Sequence, residues 1–115
     1  MTDAKVRLAL TVGDPGGVGP EIVAALVAGR MLSSADVYIV GAYAALADWL
    51  PLAACTAARV VPYTEAARIA SDESFPVFID TGGDARFARG RATSEGGRAS
   101  GLAVETAAFL AKRGL

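Results

Sequence analysis

The feature that most constrains this chain is a glycine-rich turn between an apolar segment and a helix-forming segment near the N-terminus. The turn runs from Thr11 to Glu21, directly after apolar Val6 to Leu10 and directly before apolar Ile22 to Val27. A turn of this kind, between a strand and a helix N-terminus, is where α/β proteins build anion and cofactor sites. The sequence therefore predicts a strand–turn–helix unit with a candidate ligand site in its turn.

The turn contains five candidate residues for lining a ligand site. Gly16, Gly17 and Gly19 allow positive φ and a close approach of the backbone to a ligand. Asp14 fits either a polar site residue or a turn residue that caps its own backbone. Glu21 fits a partner of the helix dipole better than a catalyst. Residue chemistry alone does not distinguish a ligand site from a structural turn here.

Two common phosphate-binding motifs are excluded at this turn. No Lys-Ser or Lys-Thr pair follows the last glycine, so the turn is not a P-loop. The Gly17-Val18-Gly19 sequence lacks the third glycine of the dinucleotide fingerprint, and the next predicted strand ends at Gly41 without a carboxylate for a ribose.

The rest of the chain alternates strand-like and helix-like segments. Strands are predicted over Val6 to Thr11, Val37 to Val40, Arg59 to Val61 and Pro76 to Ile79. Helices are predicted behind a Gly19 cap with Pro20 as the first helical residue, over Tyr43 to Leu50, over Glu65 to Ala70 behind a Thr64 cap, and over Ala99 to Lys112, with Arg86 to Arg98 as a loop. This alternation predicts a mostly parallel sheet with helices on both faces, a three-layer α/β/α fold.

Composition narrows the class of protein. The chain has 115 residues, 53% of them hydrophobic and 20% charged, which predicts one small globular domain or part of a larger one. A net charge of -1 and an aromatic content of 7% favour neither nucleic acid nor an anionic membrane as a partner. The single cysteine, Cys55, cannot form an internal disulfide, so we expect a cytoplasmic location. The chain has no histidine for acid/base chemistry or metal binding.

Two further segments carry polar residues. The segment from Gly90 to Ser100 combines arginines, hydroxyls and glycines just before a helix, which fits either a phosphate-binding segment or a solvated loop. Asp80 and Asp84 flank a glycine pair, and two carboxylates alone are a weak metal site, so we predict a turn there. Because Asp80 follows a predicted strand, it is also a candidate for a cleft at the carboxyl edge of the sheet.

The glycine-rich turn near the N-terminus and the segment from Gly90 to Ser100 together resemble a known enzyme family. The stretch from Leu8 to Glu21 is similar to the N-terminal signature of the 4-hydroxythreonine-4-phosphate dehydrogenases, with Gly16 where the family has alanine and Val18 where it has isoleucine. The Gly97-Arg98-Ala99-Ser100 sequence resembles a second family segment that opens a long helix. Isocitrate and isopropylmalate dehydrogenases share the broader fold but have a shorter version of the first motif.

The resemblance implies an enzyme of pyridoxal-phosphate (vitamin B6) biosynthesis. Such an enzyme oxidises and decarboxylates 4-phosphohydroxy-L-threonine with NAD or NADP and a divalent metal ion. Family members are homodimers with two α/β/α domains per chain and an interdomain cleft. Residues 1–115 would then be the N-terminal α/β segment of such a two-domain dehydrogenase. Because the metal-ligand histidines, the substrate-clamping lysine and the cofactor-binding segments lie outside it, the isolated chain is expected to be inactive.

Site residues follow from the resemblance position by position. Asp14, Gly16, Gly17, Gly19 and Glu21 would line the cleft or bind the cofactor. Arg98 and Ser100 are weaker candidates for the substrate phosphate, and no catalytic residue or metal ligand is expected in this chain. Three alternatives stay open: a dehydrogenase of 4-phospho-D-threonate or 4-phospho-D-erythronate in sugar-acid catabolism, a non-catalytic domain that binds a small ligand or a partner, and a truncated product without an independent role.

Overall fold

A parallel sheet forms the centre of the molecule. The computed structural model describes residues 6–69, 76–82 and 90–114, and the strands in these ranges are β1 (Val6–Thr11), β2 (Ala35–Gly41), β3 (Arg59–Pro62) and β4 (Val77–Asp80). Within the described ranges these strands form one four-stranded sheet in the order β1-β2-β4-β3, and every neighbouring pair is parallel. The prediction of an α/β fold with a parallel sheet is confirmed.

Helical segments connect the strands. They are α1 (Gly19–Ala28), α2 (Tyr43–Ala47), α3 (Leu52–Ala57), a 3-10 helix (Tyr63–Arg68) and α4 (Ser94–Lys112). In the described part of the chain, no helix is both long enough and apolar enough to cross a lipid bilayer.

Both faces of the sheet are covered by apolar side chains from these helices. On one face, residues of α1 and α2 pack against β1, β2 and β4 in a cluster that includes Val12, Val23, Ile39, Leu46 and Phe78. On the other face, α4 and the 3-10 helix pack against the sheet in a cluster that includes Tyr38, Ala66, Ile79, Ala103 and Leu110. The connections from β1 to β2 and from β2 to β3 run in one direction across the sheet, and the connection from β3 to β4 runs in the other direction. Right-handed crossovers therefore place the first two connections on one face and the third on the opposite face.

The predicted start of the last helix is wrong. α4 begins at Ser94, not at Ala99, so residues 94–98 form its first turn rather than the end of a loop. The Thr93 hydroxyl is the reason, because it accepts a hydrogen bond from the Gly96 amide at 3.0 Å and caps the helix. Residues 86–89 of the predicted loop lie outside the described residues.

Other local predictions also need correction. α1 is capped by Val18 rather than by Gly19, which is its first residue, and Pro20 is its second. The helix predicted to end at Leu50 ends at Ala47, and α3 was not predicted. The segment after Thr64 is a 3-10 helix that begins at Tyr63, and no side chain caps it. Short segments between a strand and a proline have few residues on which a periodic pattern can be detected.

Two glycines are required by close packing near the end of β1. A Cβ atom on Gly19 would collide with the backbone carbonyl oxygen of Val12, so α1 begins directly against the sheet. A Cβ atom on Gly41 would lie 2.6 Å from the Cβ atom of Val12. Gly19, one of the predicted site residues, therefore serves the packing of helix on strand.

Candidate functional site

The carboxyl ends of the strands meet at one edge of the sheet. Thr11 pairs with Val40, and both Gly41 and Pro62 pair with Asp80, so the chain leaves all four strands at a common level. From β2 the chain continues into α2 on one face, whereas β4, its neighbour, is followed by α4 on the opposite face. This divergence makes the ends of β2 and β4 a topological switch point, here called the crevice, and open α/β sheets bind ligands at such points.

The loop after β1 is held by Asp14. The Asp14 carboxylate accepts a hydrogen bond from the Gly16 amide at 2.8 Å, and the Asp14 carbonyl accepts one from the Gly17 amide at 2.9 Å. Pro15 and Gly16 are buried. Of the two roles considered for Asp14, the capping of its own turn is thus present in the structure.

The glycines of this loop do not adopt the conformation that we predicted. Gly13 has a φ of 81°, whereas Gly16, Gly17 and Gly19 are not among the residues with positive φ. The left-handed residue directly follows the last ladder hydrogen bond of β1, which the Val12 amide donates to the Val40 carbonyl at 2.9 Å. The turn is therefore made at Gly13, and the later glycines allow close packing instead.

The β1–α1 loop and the segment that begins at Gly90 lie in contact. The Gly90 amide donates a 2.8 Å hydrogen bond to the Gly16 carbonyl. At the start of α4, a Cβ atom on Gly96 would lie 2.6 Å from the Oδ1 atom of Asp14. The Asp14 carboxylate therefore lies against the first turn of a 19-residue helix, where the helix dipole favours negative charge. The structure thus joins the β1–α1 loop to α4 at one corner of the crevice.

This arrangement makes the N-termini of α1 and α4 less suitable for binding an anion. In α1, Pro20 has no N–H group and Gly19 is packed against Val12. At α4, the Asp14 carboxylate already occupies the space beside Gly96. An incoming phosphate would have to share this end of α4 with a carboxylate, and like charges repel.

The structure separates the two residues predicted to bind a phosphate. Ser100 is one helical turn from Gly96 and is half-buried, so it lies on the face of α4 that packs toward the sheet. Arg98 is exposed and lies about 200° around the helix from Gly96. Of this pair, Ser100 lies on the same helix face as the residue that contacts Asp14, and Arg98 does not. Glu21 is exposed in the first turn of α1.

Asp80 and Thr81 form the wall of the crevice at the end of β4. The Asp80 Oδ1 atom accepts hydrogen bonds from the Gly82 amide at 2.9 Å and from the Tyr43 amide at 3.1 Å. The hydrogen bond from Gly82 fits the described beginning of the predicted Asp80–Asp84 turn, and Asp80 also accepts from the first amide of α2. Asp84 lies outside the described residues.

Thr81 is a candidate site residue that the sequence did not reveal. Its amide donates to the Gly41 carbonyl at 2.9 Å, so it extends the ladder between β4 and β2 by one step. The side chain is only 6% exposed, and its hydroxyl has no hydrogen-bond partner among the described residues. A buried hydroxyl without a partner is costly unless a ligand or water bonds to it. A lone threonine after a strand carries no sequence signal for this role.

Tyr43 lies beside the crevice but takes part in packing. Its ring contacts Phe78 edge-on, with the ring centroids 5.3 Å apart. Burial raises the pKa of the Tyr43 hydroxyl above its ordinary value of 10.0, and the neighbouring Cys55 thiol adds to the rise. The apolar gap that Tyr43 and Phe78 line with Val12 has no room for a water molecule, so it is packing space rather than a ligand site.

The residues present do not fit the metal and cofactor implied by the resemblance. In the part of the chain that the structure describes, no group of three or more His, Cys, Asp or Glu side chains could hold a metal ion, and the sequence has no histidine. The described end of β2 carries Gly41 and Ala42, so it provides no carboxylate for the ribose of a dinucleotide. These residues can form one wall of a ligand site.

No protein-family model matches this chain, and a search of curated proteins also finds no match. The resemblance to the 4-hydroxythreonine-4-phosphate dehydrogenases therefore stays a prediction.

Proposed function

We propose that this chain is the N-terminal segment of a metal-assisted, NAD- or NADP-dependent dehydrogenase of the 4-hydroxythreonine-4-phosphate type, with an isocitrate/isopropylmalate dehydrogenase-like fold. The observation that carries the proposal is the contact between the two segments on which the resemblance rests. Residues far apart in the sequence meet through the Gly90–Gly16 hydrogen bond and through the Asp14–Gly96 contact. These contacts follow the end of β1 and Thr81 follows the end of β4, so both lie at the carboxyl edge of the parallel sheet, where ligands bind in folds of this kind.

Under this proposal the chain positions a phosphorylated hydroxy acid and does not transform it alone. Asp14 holds the loop and the start of α4 in place, and the Thr81 hydroxyl is available to a ligand oxygen. The second domain of a homodimeric enzyme would supply the metal ligands and the cofactor contacts. The single cysteine supports a cytoplasmic enzyme.

An activity assay on the chain tests this proposal. Reduction of NAD or NADP is followed with 4-phosphohydroxy-L-threonine and added divalent metal, in parallel with 4-phospho-D-threonate and 4-phospho-D-erythronate. We expect a folded but inactive protein, because the sequence has no histidine to bind the metal. Turnover by this chain alone would contradict the assignment of the metal ligands to another segment.

A second candidate function is a non-catalytic domain that binds a small ligand. The absence of histidine favours it, because the commonest acid/base residue and metal ligand is missing. Both functions predict binding of a phosphorylated hydroxy acid, so binding does not distinguish them. Reduction of NAD or NADP is expected only for the catalytic function. If the chain gains dehydrogenase activity when a downstream family segment is supplied, the catalytic proposal holds, and if it does not, the binding function is favoured.

A further inference from the structure

We draw no further inference here: the strongest candidate, the buried Thr81 hydroxyl where the chain leaves β4 at the carboxyl edge of the sheet, belongs to the site already described.

Discussion

The Asp14 carboxylate lies against Gly96 in the first turn of α4, and a Cβ atom on Gly96 would come within 2.6 Å of its Oδ1 atom. Eighty-two positions separate these residues in the sequence, yet their contact fixes the β1–α1 loop relative to the longest described helix. Because the Gly16 amide holds the same carboxylate oxygen, Asp14 has little freedom to move away. The contact therefore requires a residue without a side chain at position 96 as long as Asp14 keeps its position.

Replacing Gly96 tests this contact. Gly96→Ala forces Asp14 or Thr93 to shift, so we expect the free energy of unfolding to fall by about 1 kcal/mol. Gly97→Ala is the control, because a Cβ atom there meets nothing within 4 Å and alanine favours the helix by roughly 0.5–1 kcal/mol. Urea unfolding of both variants measures the difference. If Gly96→Ala stabilises the chain as much as Gly97→Ala does, the contact is not as close as described.

The cap of α4 provides a second test. Thr93→Ala removes the hydroxyl that accepts from the Gly96 amide, so we expect a loss of about 1 kcal/mol in unfolding free energy. Ser94→Ala serves as the control, since among the described residues the exposed Ser94 hydroxyl bonds to the neighbouring Glu95 side chain. Helix content by circular dichroism and urea unfolding would report both effects. Equal stability of the two variants would place the start of α4 elsewhere.

Gly19 is expected to be the least replaceable glycine of the loop. A Cβ atom there collides with the Val12 carbonyl, and a backbone atom cannot rotate away, so Gly19→Ala should cost about 3 kcal/mol or more. Gly101→Ala, in open space on α4, is the comparison. Thermal unfolding of the two variants measures the difference in stability. A Gly19→Ala chain with wild-type stability would show that α1 does not begin against the sheet.

Much of the architecture could be predicted from the sequence because buried strands leave a strong pattern. The apolar runs that contain Val6, Val37 and Val77 are β1, β2 and β4, and they are parallel where a mostly parallel sheet was predicted. The start of α4 could not be predicted, because Gly96 and Gly97 disfavour a helix in isolation. The Thr93 cap and the packing against Asp14 outweigh that preference.

The site was only partly predictable from the sequence. Asp14 was identified from its place in a glycine-rich turn, and its role as a cap follows from local chemistry. The proximity of Asp14 to Gly96 depends on how α4 packs across the sheet, which no local pattern encodes. Thr81 was missed for the same reason, since its significance comes from the burial of a hydroxyl that has no partner among the described residues.

Alkaline pH should destabilise the fold through Tyr43. Because burial raises the pKa of its hydroxyl, the folded state holds the proton more tightly than the unfolded state does. The resulting stability is fully present below pH 10.0, the ordinary pKa, and is lost as the pH rises through the pKa of the folded state. Tyr43→Phe should flatten the fall in unfolding free energy above that pH. Tyr63→Phe, on an exposed ring, is the control, and an unchanged slope for Tyr43→Phe would contradict the assignment.

The most direct test of the central claim is an NMR titration of the nitrogen-15-labelled chain with 4-phosphohydroxy-L-threonine. We expect the amides of the loop around Asp14, of the first turn of α4 and of Thr81 to shift together if they belong to one ligand site. Thr81→Val, which removes the buried Thr81 hydroxyl, should weaken these shifts. Shifts confined to exposed arginines such as Arg98, or no shifts at all, would contradict a ligand site at the carboxyl edge of the sheet.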